Sequence, residues 1–214
     1  MQIEIWSDVI CPWCYIGKRR FEQALAAFAH KESVSVTWRS FELDPQAPPR
    51  YPETLEQMLA RKYGVSPQEA AAMNARVTAV AKEIGLDYRL SAALPGNTFD
   101  AHRLLHFAAA RGLGAAASER IMQGYFSAAL AVGERAELAR LAPSFGISRE
   151  DALTMLESDA YADAVRADEA RAAQSGISGV PFFLFGGKVG KVGVSGAQSV
   201  EVFTQALQQA WDDR

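Results

Sequence analysis

The two ends of this 214-residue chain carry strand patterns, whereas its long middle carries helix patterns. Residues 2–6 and 34–38 alternate polar and apolar side chains, which is typical of strands with one buried face. Between them, Phe21, Leu25 and Phe28 recur at the spacing of an amphipathic helix. Because a crossover of this length joins parallel strands, the start of the chain predicts a βαβ unit.

The middle of the chain opens with the proline-rich stretch "LDPQAPPRYP" and is predicted to be helical for about 100 residues. The stretch "SPQE", which begins at Ser66, is a capping box with proline at the first helical position. It predicts a helix to about residue 84. In "NTFDAHRLLHFAAARG", Asn97 or Thr98 is the predicted cap and Gly112 the predicted stop. Further alanine-rich helices are predicted over residues 115–131, 134–141, 149–157 and 159–173.

The last part of the chain returns to strand patterns. "VPFFLF" is a short apolar run rich in β-forming residues. The glycines of "GGKVGKVGVSG" do not match a phosphate-binding loop, and they favour a hairpin or bulge between two strands. A final amphipathic helix carries Val202, Phe203, Leu207 and Trp211. The simplest α/β arrangement pairs strands from both ends in one sheet and inserts the helical block as a separate lobe.

The two cysteines, Cys11 and Cys14, share one short stretch, "SDVICPWCYIGKRRF". Pro12 lacks a backbone N–H and suits the first position of a helix, which places Cys11 at the N-cap. There the helix dipole alone favours the thiolate by roughly one pKa unit. Cys14 lies on the apolar stripe of the same helix. The spacing therefore predicts one exposed, activated sulfur with a buried sulfur within reach.

Other interpretations of the cysteine pair are weaker. A structural disulfide that closes so short a loop would stabilise little, and it would tend to be reduced in the cytosol. A zinc site would need His102 and His106 to complete a Cys2His2 shell, but histidines four residues apart on a helix are common in ordinary packing. No metal is therefore predicted. Asp8, upstream of the pair, either opposes the thiolate by its charge or acts as a buried proton acceptor for Cys14.

Composition and charge exclude several classes of function. Hydrophobic residues make up 49%, charged residues 22%, and the net charge is -3, as in a soluble globular protein. The basic run from Lys18 to Arg20 is interpreted as a solvated helix face, so no nucleic-acid partner is expected. No apolar run approaches the roughly 18 residues that a membrane crossing needs. Without a signal-peptide pattern before the first strand, a cytoplasmic location is expected.

Five motifs occur in the order "SDVICPWCYIGKRRF", "WRSFELDP", "NTFDAHRLLHFA", "GISGVPFF" and "GVSGAQ". Together they resemble the thioredoxin-fold oxidoreductases of the DsbA superfamily, most closely the cytoplasmic FrnE-like branch. The resemblance implies a thioredoxin fold interrupted by a large all-helical insertion. The thioredoxin-like domain would cover residues 1–45 and 158–214, and the inserted helical domain residues 46–157. Certain FrnE-like proteins carry a second cysteine pair, and this chain has only one.

The resemblance also implies roles for individual residues. Cys11 matches the attacking thiol of the superfamily, and Cys14 matches the resolving thiol. Pro181 matches the proline whose preceding peptide bond is cis. A cis bond would turn the Val180 backbone toward Cys11, with its N–H and C=O free to pair with an extended substrate segment.

Four more residues receive supporting roles. Pro12 and Trp13, between the cysteines, would tune the redox poise, and an exposed Trp13 indole would offer an apolar contact. The family analogy places Asn97 and His102 on a groove, although a capped helix with a packed histidine explains both equally well. These two residues and Asp8 are secondary candidates.

The predicted function is thiol–disulfide exchange on proteins or small thiols, with its direction left open. No cofactor is expected beyond glutathione as a candidate redox partner, and no membrane partner is expected. Kappa-class glutathione transferases and 2-hydroxychromene-2-carboxylate isomerases share the fold, so a glutathione-dependent isomerase or transferase is the alternative. Those enzymes typically place serine where Cys11 stands. A third interpretation is a non-catalytic chaperone or binding module.

Overall fold

The computed structural model describes residues 1–187 and 190–213. The chain divides into two compact units. We call Met1–Leu43 with Asp168–Arg214 the sheet unit, and Asp44–Ala167 the helical unit. The domain boundaries at residues 45/46 and 157/158 stay a prediction. Positions 188 and 189, which belong to the stretch predicted to form a glycine-rich hairpin or bulge, lie outside the described residues.

The described part of the sheet unit contains four strands, namely β1 Gln2–Ser7, β2 Ser35–Ser40, β3 Phe182–Gly186 and β4 Lys191–Ser195. They form one sheet in the order β2-β1-β3-β4. β1 pairs in parallel with β2 and antiparallel with β3, and β3 pairs antiparallel with β4. The predicted βαβ unit and the joining of both chain ends in one sheet are confirmed.

The described residues form nine α-helices. They are α1 Pro12–Ala27, α2 Leu55–Tyr63, α3 Pro67–Glu83, α4 Phe99–Ala109, α5 Gly114–Ala128, α6 Arg135–Leu141, α7 Arg149–Glu157, α8 Ala162–Gln174 and α9 Val200–Asp212. Two boundaries differ from prediction for a shared reason. Ala129 and Tyr161 adopt left-handed backbone conformations with φ of 52° and 63°. As a result, α5 ends earlier and α8 begins later than the periodicity predicts.

Helices cover both faces of the sheet. On one face, β1 and β3 pack against α1 and α9 through the buried residues Ile3, Ile5, Phe21, Phe183, Phe185, Phe203 and Leu207. On the other face, Trp6 is buried with Ala172 and Ile177, and its indole N–H donates to the Asp168 carbonyl at 3.0 Å. Alternate strand residues point to opposite faces, so a single strand serves both layers. Val202 was predicted on the apolar face of α9 but is exposed. The side of α9 that packs against the sheet carries Phe203 and Leu207 instead.

The helical unit follows its local capping signals. The predicted capping box of α3 is present at Ser66, and Thr54 forms another at the start of α2. At α4 the N-cap is Thr98, while the Asn97 side chain accepts a hydrogen bond from the Phe99 N–H at 2.9 Å. None of the helices in the described ranges is long and apolar enough to cross a bilayer.

Candidate active site

Helix α1 begins directly at the cysteine pair. Cys11 is the N-cap residue with an extended backbone, φ −80° and ψ 113°, and Pro12 is the first helical residue. The predicted cap is therefore confirmed. The Cys11 carbonyl accepts hydrogen bonds from the backbone N–H groups of Cys14 and Tyr15, at 3.0 and 3.4 Å. This first turn directs the Cys14 side chain into the sheet unit, where it is 1% exposed.

The environment of Cys14 keeps its thiol protonated. Burial raises the pKa of the Cys14 thiol well above its usual range, and a hydrogen bond with the Cys11 side chain raises this pKa further. The Ser7 side chain and the Asp8 backbone act weakly in the opposite direction. The Cys14 thiol can therefore donate its hydrogen to the Cys11 sulfur, which links the two residues as the spacing predicted.

Cys11 is less accessible than the sequence suggested. It was predicted to be exposed, but it is 5% exposed and counts among the buried residues. Its Sγ lies 3.7 Å from the Val180 carbonyl oxygen, to which the thiol can donate. Val180 is 169 positions further along the chain, so no local sequence pattern could show that it contacts the Cys11 sulfur. Both cysteines are free in this structure.

The segment facing Cys11 is Val180–Pro181, immediately before β3. The Val180–Pro181 peptide bond is cis. Pro181 is buried and its carbonyl accepts a hydrogen bond from the Gly196 N–H at 2.8 Å, while Val180 is half-buried. The Val180 carbonyl, expected to be free for substrate, instead faces the Cys11 thiol. We call Cys11, Cys14 and Val180–Pro181 the dithiol site.

The two residues between the cysteines differ in exposure. Pro12 is half-buried, whereas Trp13 is 44% exposed and is one of the few large apolar side chains on the described surface. The exposed indole agrees with the sequence prediction. Because Trp13 is a neighbour of Cys14 in the first turn of α1, its ring offers an apolar surface next to the dithiol site.

Asp8 lies beneath the cysteine pair with 0% exposure. Its carboxylate Oδ2 accepts a hydrogen bond from the Leu43 N–H at 2.8 Å, and its carbonyl accepts one from the Cys11 N–H at 3.2 Å. A backbone hydrogen bond of Asp8 also reaches the Cys14 sulfur. Asp8 thus connects the end of β1, both cysteines and the segment after β2. Its role as proton acceptor stays a prediction.

The basic run of α1 is not a simple solvated face. The Lys18 side chain is 3% exposed and forms an ion pair with Glu22 at 2.8 Å. Lys18 follows Cys14 by four residues, so it lies on the same buried side of the helix. Arg20 donates from Nη1 to the Ala197 carbonyl at 2.7 Å. The sequence interpretation was wrong here because it weighed charge without the helical position of Lys18 and Arg20.

The described side chains do not group as a metal centre would require. Within residues 1–187 and 190–213, no three His, Cys, Asp or Glu side chains come together in a way that could hold an ion. His102 and His106 belong to α4 of the helical unit, and the cysteine pair belongs to the sheet unit.

A family model described as the DSBA-like thioredoxin domain matches residues 2–208. The chain belongs to this family. The prediction of a DsbA-like thioredoxin fold from the five motifs is therefore confirmed, and the four-stranded mixed sheet with its helices is the family fold.

Several relatives match over more than nine-tenths of their length. The crystal structure of a probable DsbA oxidoreductase from Streptomyces coelicolor is 47% identical, with a TM-score of 0.92 over 100% of this chain and 91% of that chain. The uncharacterised protein YwbO of Bacillus subtilis is 26% identical over 209 residues, 97% of this chain and 96% of its own. The cytosolic disulfide reductase DsbM from Pseudomonas aeruginosa, solved with GSH, is 15% identical, with a TM-score of 0.61 over 99% of this chain and 96% of that chain. This last likeness shows the fold alone.

The secondary candidates outside the sheet unit have local structural roles. Asn97 holds the start of α4 and also donates from Nδ2 to the Pro45 carbonyl at 3.4 Å. His102 is buried, 2% exposed, on α4. Both residues lie in the helical unit, and a functional role for either one stays a prediction.

One residue near the dithiol site was not singled out from the sequence. Gly17 is buried inside α1, and a Cβ at this position would lie 3.1 Å from the Pro181 Cγ. Glycine inside a helix costs roughly 0.5–1 kcal/mol relative to alanine, so its presence was itself a signal of close packing.

Proposed function

We propose that this chain catalyses thiol–disulfide exchange through Cys11 and Cys14. The observation that carries the proposal is the position of the two cysteines: Cys11 caps the start of α1, and Cys14 is buried in the first turn of the same helix. Burial keeps the proton on Cys14 until a substrate sulfur has bonded to Cys11. Cys11 is accordingly the attacking residue and Cys14 the resolving one.

The exchange proceeds in two balanced steps. The Cys11 thiolate attacks one sulfur of a substrate disulfide, forms a mixed disulfide and releases the other substrate sulfur as a thiolate. Cys14 then gives up its proton and attacks the Cys11 sulfur, which releases the second substrate thiolate. The substrate gains two electrons and the protein retains the Cys11–Cys14 disulfide. Run in reverse, the same steps oxidise a substrate dithiol. We propose Asp8 as acceptor of the Cys14 proton.

The supporting residues belong to the same proposal. When the Cys11 thiol loses its proton it no longer donates to the Val180 carbonyl, and the backbone of the Val180–Pro181 segment then becomes available to an extended substrate chain. Trp13 offers an apolar contact, and Pro12 and Trp13 tune the redox poise. Glutathione is the proposed small-thiol partner, in line with the GSH-bound DsbM structure. A cytoplasmic location and membership of the FrnE-like branch, suggested by the motifs, complete the proposal.

Single substitutions test these roles. Cys11→Ser is expected to reduce exchange with a model disulfide to the uncatalysed rate, because the nucleophile is gone. Cys14→Ser should still react once and then accumulate the mixed disulfide, which mass spectrometry detects.

Asp8→Asn keeps an oxygen for the Leu43 N–H and should slow the resolving step at least about tenfold.

Circular dichroism of each variant controls for folding. Undiminished exchange in Cys11→Ser would exclude the proposal, and glutathione-dependent isomerase activity in that variant would favour the alternative. Equilibration of the wild-type protein with glutathione buffers of known ratio gives the reduction potential. That potential decides between a donor and an acceptor of disulfides.

A further inference from the structure

The turn between β4 and α9 is attached to the cis-proline segment. We call residues 195–198 the β4–α9 turn. Its Gly196 N–H donates to the Pro181 carbonyl at 2.8 Å, and the Gln198 side chain donates to the Ser195 carbonyl at 2.8 Å. Gly196 has φ +81°, which side-chain-bearing residues rarely adopt. The position of this turn therefore helps to fix the position of Pro181.

Helix α1 holds the same turn through Arg20. The Arg20 guanidinium donates to the Ala197 carbonyl at 2.7 Å. A hydrogen bond from a charged donor is stronger than a neutral one and keeps its geometry better. Arg20 is half-buried, so solvent competes only in part for this contact.

Gly17 lies one turn before Arg20 on the same face of α1. A Cβ at Gly17 would lie 3.1 Å from the Pro181 Cγ and 3.3 Å from the Phe183 Cζ, with the Ala197 Cα at 3.5 Å. The first two distances are tighter than ordinary side-chain packing, so any larger residue would displace the proline ring or the phenylalanine. Glycine here allows the α1 backbone to approach the cis-proline segment closely.

One rigid element therefore carries both sides of the dithiol site. Cys11 caps α1, and Gly17 and Arg20 of the same helix hold Pro181 and the turn bonded to it. We propose that Gly17 and Arg20 are positioning residues: through the β4–α9 turn they hold the Val180 backbone where a substrate main chain pairs with it. This inference rests on the proposed thiol–disulfide exchange and extends it to substrates with an extended peptide chain.

Two disulfide substrates distinguish a positioning role of Gly17 and Arg20 from a purely structural one. The first is a peptide disulfide whose reacting cysteine is flanked by several residues on each side. The second is bis(2-hydroxyethyl) disulfide, which has no main chain to pair. Loss of one or two backbone hydrogen bonds to substrate should slow only the peptide, by about 3- to 10-fold. The quantity measured is the ratio of the two second-order rate constants with reduced protein.

Arg20→Met is expected to lower this ratio about 3- to 10-fold. Arg19→Met is its control, because it removes the same charge from the next position, where the guanidinium contacts Glu22 and Tyr15 instead. Gly17→Ala should lower the ratio as well. Its control is Gly124→Ala, which creates similar crowding against Leu130, 3.0 Å from the new Cβ, in the helical unit.

The outcomes are distinguishable. Equal slowing of both compounds, or a lower melting temperature with an unchanged ratio, would mean that Gly17 and Arg20 only stabilise the fold and would overturn this inference alone. A wild-type protein that exchanges with neither compound would overturn the proposed function and the inference together. Because the two variants alter different contacts, a folding failure in one leaves the test to the other.

Discussion

Cys11 and Cys14 are identical side chains that acquire different chemistry from their positions on α1. Cys11 has helix N–H groups beyond it and a carbonyl 3.7 Å from its sulfur. Cys14 lies one turn inside, where burial makes its thiolate costly. In the proposed exchange this difference makes Cys11 the first nucleophile, since Cys14 keeps its proton until it resolves the mixed disulfide.

The raised pKa of Cys14 should make the reduced protein less stable in alkali. An unfolded thiol ionises near its usual pKa of 9.0, whereas the folded Cys14 holds its proton to higher pH. Above pH 9 the native state then binds more protons than the unfolded state, so the free energy of unfolding falls as pH rises. Urea denaturation of reduced protein at pH 7.5 and pH 10 measures this fall.

Cys14→Ala supplies the comparison, since it lacks the thiol whose ionisation burial opposes. Its free energy of unfolding should decline less between the two pH values than that of the wild type. An identical decline in both proteins would contradict the assigned environment of Cys14.

At the scale of single residues, local sequence signals predicted where a residue lies in its helix, but not which distant residues it contacts. Pro12 sufficed to place Cys11 at the N-cap, because a proline at the first helical position is a local preference. Local signals did not show that Cys11 contacts the Val180 carbonyl or that Arg20 contacts the Ala197 carbonyl. Contacts between residues more than 160 positions apart leave no trace in spacing or periodicity.

Among the elements, α4 and α7 are joined by one buried arginine. Arg103 on α4 is 2% exposed and donates to the backbone carbonyls at the end of α7 and in the loop after it, namely those of Met155, Leu156, Ser158 and Ala160. It also pairs with Asp100 at 2.6 Å. The last carbonyl groups of a helix lack partners within it, and Arg103 supplies one to the Leu156 carbonyl. The Met155 carbonyl also accepts from the Ser158 N–H and hydroxyl.

Arg103→Met should destabilise the helical unit by about 3–5 kcal/mol, because it removes the partner of buried polar groups. Chemical denaturation monitored by circular dichroism measures the loss. Arg135→Met is the matched control, since Arg135 contacts the same Asp100 at 2.6 Å but is 51% exposed. An exposed ion pair contributes only about 0–1 kcal/mol. Similar losses in both variants would show that the carbonyl contacts of Arg103 contribute little.

Across the sheet unit, charged groups connect elements that are distant in sequence. Glu4 of β1 pairs with Arg39 of β2 at 2.6 Å and with Arg171 of α8 at 2.5 Å, and Arg39 also pairs with Asp168 at 2.9 Å. This network brings both halves of the sheet unit together on the face opposite α1. Burial alone would raise the pKa of Glu4, but hydrogen bonds and charge from Arg171 and Arg39 hold that pKa below its usual value.

The lowered pKa of Glu4 predicts loss of stability in acid. An unfolded glutamate takes up its proton near pH 4.5, before the folded Glu4 does. The unfolded state therefore binds more protons below that pH, and stability decreases as pH falls. Between pH 5 and pH 3, Glu4→Gln should show a shallower decrease in melting temperature than the wild type. Glu32→Gln, an exposed change in the same unit, should follow the wild type, and equal slopes in all three proteins would refute this.

The architecture of the molecule could be predicted as far as it follows from the order of strand and helix patterns along the chain. Strand signals at both ends and helix signals between them predicted one sheet built from both ends, and the capping box at Ser66 predicted the start of α3. The left-handed residues Ala129 and Tyr161 were not predictable, because nothing in an alanine or a tyrosine marks that conformation. The ionic network was missed because its members lie on three separate elements.

The placement of β1 between β2 and β3 has a consequence for synthesis of the chain. β3 leaves the ribosome about 175 residues after β1, which at about 5–20 residues per second takes roughly 10 to 35 s. During that interval the cysteine-bearing helix has emerged without the strand that completes its core, whereas the contiguous helical unit is already available to fold. The nascent chain therefore exposes both sulfurs to its surroundings before the native packing can shield either one.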